Sequence, residues 1–125
     1  MNIKEISKEI HETNVKNGFW EGERNTGELL MLVTSELAEA LEADRKGYKC
    51  ELTKAGKMNF SGQDNVEVFQ ALFRGNIKDT FEDEIADAVI RLFDLAEGRG
   101  IDLEWHIAAK LRYNKTRPYK HGKAY

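Results

Sequence analysis

Two stretches of this chain combine helical spacing of apolar residues with paired acids, and that combination restricts the fold more than any other feature. In Ser35-Glu36-Leu37-Ala38-Glu39-Ala40 and in Asp83-Glu84-Ile85-Ala86-Asp87-Ala88 two acids stand three residues apart, which puts them on one helix face. Like charges at that spacing repel and cost the helix about 0.2–0.5 kcal/mol unless something neutralises them. On the first stretch Leu30, Val33, Leu37 and Leu41 make one stripe. Leu29, Leu32, Glu36 and Glu39 make another, turned from it by about 100 degrees or more. On the second stretch Phe81, Ile85, Val89, Leu92, Phe93 and Ala96 form an apolar face beside a polar stripe of Glu84, Asp87, Arg91 and Asp94. A helix with two faces that avoid solvent belongs in the middle of a bundle, and its carboxylates then continue a buried seam. If the two helices face each other, Glu36, Glu39, Glu84 and Asp87 meet around one small volume, where hard oxygen ligands suit Mg²⁺ or Mn²⁺.

The remaining elements follow the same all-α pattern. A length of 125 residues points to one domain, and 33% charged residues with a single proline favour helices with solvated faces over short strands. Ile3, Ile6, Ile10 and Val15 mark an amphipathic helix over residues 2–16, and Phe19-Trp20-Glu21-Gly22 makes an aromatic loop before a helix from about Thr26 to Lys46, stopped by Gly47. Residues 45–63 carry glycines and lysines with no sustained period and read as a mobile basic insertion. Val66, Phe69, Leu72 and Phe73 mark a short helix. Asp79 or Thr80 caps the second acidic helix, and Asp102 caps a last helix that runs to about Lys115. The expectation is a bundle of four to five helices.

Charge and cysteine content narrow the partners. The formal net charge of −3 argues against a nucleic-acid partner, although eleven of the nineteen basic residues fall within 45–57 and 110–123. Cys50 is the only cysteine, which fits a reducing compartment. The N-terminus has no apolar signal-like region, and no run of about 18 apolar residues exists to span a membrane. The chain is therefore expected to be cytoplasmic.

An acidic pair on a helix is more often a solvated face than a ligand set. The small or apolar flanks Leu37-Ala38, Ala40-Leu41, Ile85-Ala86 and Ala88-Val89-Ile90 weigh against that explanation here. A di-iron bundle characteristically uses Glu-x-x-His, and neither acidic helix has a histidine three residues after a carboxylate. Glu39 with Glu42 is a second register for the first pair, and Asp94 is a further carboxylate on the second helix. Glu36 with Glu39 is preferred because Glu42 rotates away from Leu29 and Leu32.

The pairing of Glu36-x-x-Glu39 with Glu84-x-x-Asp87 resembles the E-x-x-E and E-x-x-D signature of the MazG-like, all-α nucleoside triphosphate pyrophosphohydrolases, and the flanking residues are similar over several turns. Lys110-x-x-x-Asn114-x-x-Arg117 is similar to the Lys, Asn and Arg that many members place near the triphosphate. Phe19-Trp20-Glu21 resembles the aromatic loop that the deoxycytidine triphosphate pyrophosphatase branch uses around the base. The stretch between the acidic pairs is longer than in compact members, because of residues 45–75. The resemblance implies hydrolysis of a nucleoside triphosphate to the monophosphate and pyrophosphate, with the four acids holding Mg²⁺ or Mn²⁺. Glu39 is our choice as general base, though spacing does not separate ligand from base. Lys110, Asn114 and Arg117 would hold phosphates, against the plainer reading of a basic helix end. Arg91 would meet substrate or balance the acids, and Trp20 would stack on the base or serve as a core plug. The resemblance also implies a homodimer or homotetramer that completes the bundle. Two other classes stand beside it: a non-catalytic helical interaction module with structural acids, and a nucleic-acid binder using the basic segments.

Overall fold

The computed structural model describes residues 2–125, and among them the regular structure is helical throughout, with no strand. Six α-helices follow in order: α1 (Ile3–Lys16), α2 (Thr26–Lys46), α3 (Lys54–Ser61), α4 (Val66–Asn76), α5 (Phe81–Gly98) and α6 (Leu103–Asn114), with a short 3-10 helix at Tyr119–Gly122. None is long and apolar enough to cross a membrane. The chain divides into two compact units, Met1–Arg24 with Leu92–Tyr125, and Asn25–Arg91, so that α5 lends its final turns to the first and its start to the second.

Local chemistry accounts for most helix ends. Asn2, Asn25, Thr53, Asn65 and Asp102 each accept a backbone N–H at the start of their helices. At the start of α5 the Asp83 N–H donates to Thr80 Oγ1 (3.3 Å), while the Asp83 carboxylate accepts from the Asp79 N–H (3.0 Å). This resembles a capping box, except that the carboxylate reaches the N–H of Asp79, one residue before the cap, while the Thr80 N–H donates to the Ile77 carbonyl. Gly47 ends α2 in the left-handed conformation, φ 71°, with Tyr48 N–H donating back to the Ala43 carbonyl.

The first unit is organised around Asp94, a buried carboxylate. His11 Nδ1 lies 2.8 Å from its Oδ1, Asn14 Nδ2 donates to Oδ2 at 2.9 Å, and Trp20 Nε1 donates to both oxygens at 2.9 and 3.1 Å. The Arg24 and Arg99 guanidinium carbons sit 5.6 and 5.9 Å from the indole centroid. Gly98 is required beside this ring, since a Cβ there would lie 2.8 Å from Trp20 Cζ2 and closer still to Cη2. α1 packs on α6 in the same unit.

In the second unit, the stretch read as a mobile basic insertion with no sustained period holds a helix, α3, capped by Thr53 Oγ1 accepting from Gly56 N–H at 3.1 Å. Eight residues are too few to show a period, and the helix is held by one large side chain: Phe60 meets Phe69 edge-on at 4.9 Å. Two hydrogen bonds tie this segment to α5, the Phe81 N–H to the Tyr48 carbonyl and the Cys50 N–H to the Glu82 side-chain Oε2, both 2.8 Å.

One correction concerns which helix faces are covered. On α2 the buried residues are Leu29, Val33, Glu36, Ala40 and Ala43, whereas Leu30, Leu37 and Leu41 are 47%, 51% and 50% exposed. On α5 Glu84, Ala88, Asp94 and Ala96 are buried, whereas Ile85, Val89 and Leu92 are 39%, 41% and 42% exposed. The chain turns Glu36 and Glu84 inward together with Leu29 and Val33, and leaves Leu30, Leu37, Leu41, Ile85, Val89 and Leu92 largely open.

Candidate metal centre

The second unit builds its acidic cluster from α2 and the start of α5. Successive buried positions on α2 step through Leu29, Val33, Glu36, Ala40 and Ala43, the three-to-four spacing of one helix face, so Glu36 continues an apolar stripe. Thr80 just before α5, and Glu84 and Ala88 on it, are spaced by four and buried. The small side chains beside the acids leave room for carboxylates to converge. Glu36, Glu39 and Glu84 each place an oxygen within 4.8 Å of the others' oxygens.

Geometry separates the competing registers. Glu42 is exposed and lies 3.4 Å from Lys46 one turn away. Asp94 is committed to His11, Asn14 and Trp20 in the first unit. Asp87 is partly buried beside the cluster but outside the set of three whose oxygens converge. Arg91 supplies the cation: its Nε donates to Glu36 Oε1 at 2.5 Å, from a guanidinium side that is 40% exposed.

The electrostatics are those of a site with too much negative charge. Burial pushes the Glu84 carboxyl up to about 7, with the Glu39 charge and hydrogen bond next in weight, then the charges of Asp87 and Glu36. Asp87 is also raised, first by desolvation, then by Asp83 and Glu36, with Arg91 opposing. The neighbouring charges add to the burial penalty, and one guanidinium is not enough to neutralise four neighbouring carboxylates. A divalent cation placed among Glu36, Glu39 and Glu84 would reverse the penalty, and an all-oxygen donor set without histidine or sulfur fits Mg²⁺ or Mn²⁺.

The other residues named from the sequence lie in the first unit. Trp20 is half-buried, its indole N–H on Asp94, its ring against Gly98 and near two guanidinium groups. Lys110 Nζ and Arg117 Cζ sit 5.2 and 5.7 Å from the Tyr113 ring centroid, so the two cations gather on one aromatic side chain. Arg117 Nη2 also donates to the His121 carbonyl at 3.5 Å. Asn114 is half-buried, and its Oδ1 has no hydrogen-bond partner among the described residues.

The polar network on Asp94 escaped sequence reasoning. Its partners stand 83, 80 and 74 residues away, and no local signal marks them. Comparison of the chain with protein-family models, with curated proteins and with solved structures finds no match.

Proposed function

We propose that the chain is a cytoplasmic, metal-dependent nucleoside triphosphate pyrophosphohydrolase of the MazG-like, all-α type, converting a ribo- or deoxyribonucleoside triphosphate to the monophosphate and pyrophosphate. The observation that carries this reading is the convergence of Glu36, Glu39 and Glu84 from two helices, with Glu84 pushed up to about 7 by burial and by its neighbours' charge. The sequence signature around the two acidic pairs supports it.

The chemical logic starts from the substrate. A triphosphate is ringed by negative oxygens, and bare carboxylates repel it. Mg²⁺ held by these carboxylates would neutralise charge on the phosphates and make water easier to deprotonate. The role of the chain is to hold that centre and handle the proton. Glu36 and Glu84, buried and fixed by packing, act as ligands. Asp87 stands beside them as a further donor. Glu39, the exposed member of the converging set, is reachable from solvent and is assigned the water's proton. Arg91 orients Glu36 through the 2.5 Å bond. Lys110, Asn114 and Arg117 are assigned to phosphate binding on the strength of the sequence resemblance. The test is product identity across a panel of nucleoside triphosphates.

The same reading makes the protein a homodimer or homotetramer. Leu30, Leu37 and Leu41 on α2, with Ile85 and Val89 on α5, leave an apolar area open that a second copy would cover. Sedimentation at micromolar concentration is expected to give a dimer or tetramer, and Leu37→Glu to give a monomer. A concentration-independent wild-type monomer overturns the oligomer. A non-catalytic interaction module is the second reading favoured by these open stripes, and it predicts no response to metal.

A further inference from the structure

We propose that the cavity bounded by α3, α4 and the start of α5 receives the ring system of the nucleoside, which makes the segment between the two acidic pairs the determinant of base selectivity. The proposal rests on the triphosphate reading above and adds to it a site for the base. The cavity measures about 410 Å³, within the range of small-ligand pockets. Its walls are apolar and partly aromatic: Leu52, Phe60, Phe73 and Ile77. Lys57 adds a cation able to donate to a ring nitrogen or carbonyl oxygen.

Placement joins the cavity to the acidic cluster. Asp83 and Ala86 of α5 line the cavity, and the residues that follow each of them, Glu84 and Asp87, belong to the acidic stripe. At 1.5 Å rise per residue, cavity wall and carboxylates share the same two turns of one helix on adjoining faces. A ligand whose ring is separated from its phosphates by one sugar spans from one to the other. The walls are also pre-formed. Phe60 is packed edge-on against Phe69, and the Cys50 and Phe81 hydrogen bonds tie the leading segment to α5.

Cys50 lines this cavity and is the only cysteine of the chain, so its alkylation by iodoacetamide reports occupancy directly in the wild-type protein. With Mg²⁺ and a panel of α,β-imido ribo- and deoxyribonucleoside triphosphates, at least one analogue at ten times its Kd is expected to slow alkylation about tenfold. Inorganic tripolyphosphate with Mg²⁺ is expected to bind, seen as a rise in Tm, without protecting Cys50. Ala86→Phe, which fills the cavity, is expected to raise KM for the nucleotide while the inhibition constant of tripolyphosphate stays at its wild-type value. Nucleotide binding that leaves Cys50 unprotected, or equal protection by tripolyphosphate, overturns the cavity proposal and leaves the triphosphate reading standing. If neither nucleotide nor tripolyphosphate binds, the triphosphate reading fails and the cavity proposal falls with it.

Discussion

Glu36→Gln is expected to lower kcat for triphosphate hydrolysis by a hundredfold or more, on the order of the loss seen when one preorganised electrostatic partner of a transition state is removed. The substitution keeps side-chain length and removes one negative charge from a set whose oxygens converge within 4.8 Å. It weakens the metal centre and at the same time loosens Arg91, which now donates to an amide oxygen in place of a carboxylate. The fold should survive, because the Arg91 side chain is 40% exposed and can return to water, and because the remaining acids repel less. The control is Glu42→Gln, on the same helix but exposed and close to Lys46, which is expected to turn over at the wild-type rate. Monophosphate release measured with Mg²⁺ checks both. Retention of activity by Glu36→Gln, or an equal loss in Glu42→Gln, contradicts the assignment.

The second large effect concerns the metal-free protein. A carboxyl raised from 4.5 to about 7 in the native state binds its proton more tightly when folded than when unfolded. Its contribution to stability is therefore complete below pH 4.5 and is lost as pH climbs toward 7. At about 1.4 kcal/mol per pH unit across that interval, the loss is about 3 kcal/mol. Asp87 is shifted the same way and adds to the trend. Glu82 is shifted down by the Cys50 N–H and acts with opposite sign, below its ordinary 4.5 and so outside the window. In EDTA, urea unfolding followed between pH 5 and 8 should show stability falling as pH rises. Glu84→Gln should flatten that profile, leave the protein more stable than wild type at pH 8, and abolish stabilisation by Mg²⁺ or Mn²⁺. An unchanged profile in the variant would show that Glu84 does not carry the excess charge.

The helices of the acidic pairs were legible because local chemistry sets their limits: Gly47 stops α2 and Thr80 with Asp83 starts α5. Their rotation was legible too, since a 3.6-residue repeat tells which residues share a face. Periodicity does not tell which of two non-solvent faces a single chain covers. Leu37 and Val89 look like core from spacing alone and stand open in the structure, while Glu36 and Glu84 are buried. Of the acids read as a seam beside the core, Glu36 and Glu84 lie on the inward face itself, whereas Glu39 is exposed. α3 was missed because Thr53 is its one clear signal and its anchor, Phe60, meets partners on the following helix. Trp20 shows the limit most plainly. An aromatic before a helix is compatible with a plug or a stacking platform, and the partner that fixes its indole N–H, Asp94, stands 74 residues away.

On the proposed reading, two helices hold carboxylates together at an electrostatic cost that a divalent cation would remove, and a triphosphate is the ligand that such a cation would serve. The most direct measurement is ³¹P NMR of a panel of ribo- and deoxyribonucleoside triphosphates incubated with the protein and Mg²⁺. The account predicts monophosphate and pyrophosphate from at least one of them, with no product in EDTA. Release of orthophosphate, or no turnover across the panel, would contradict it.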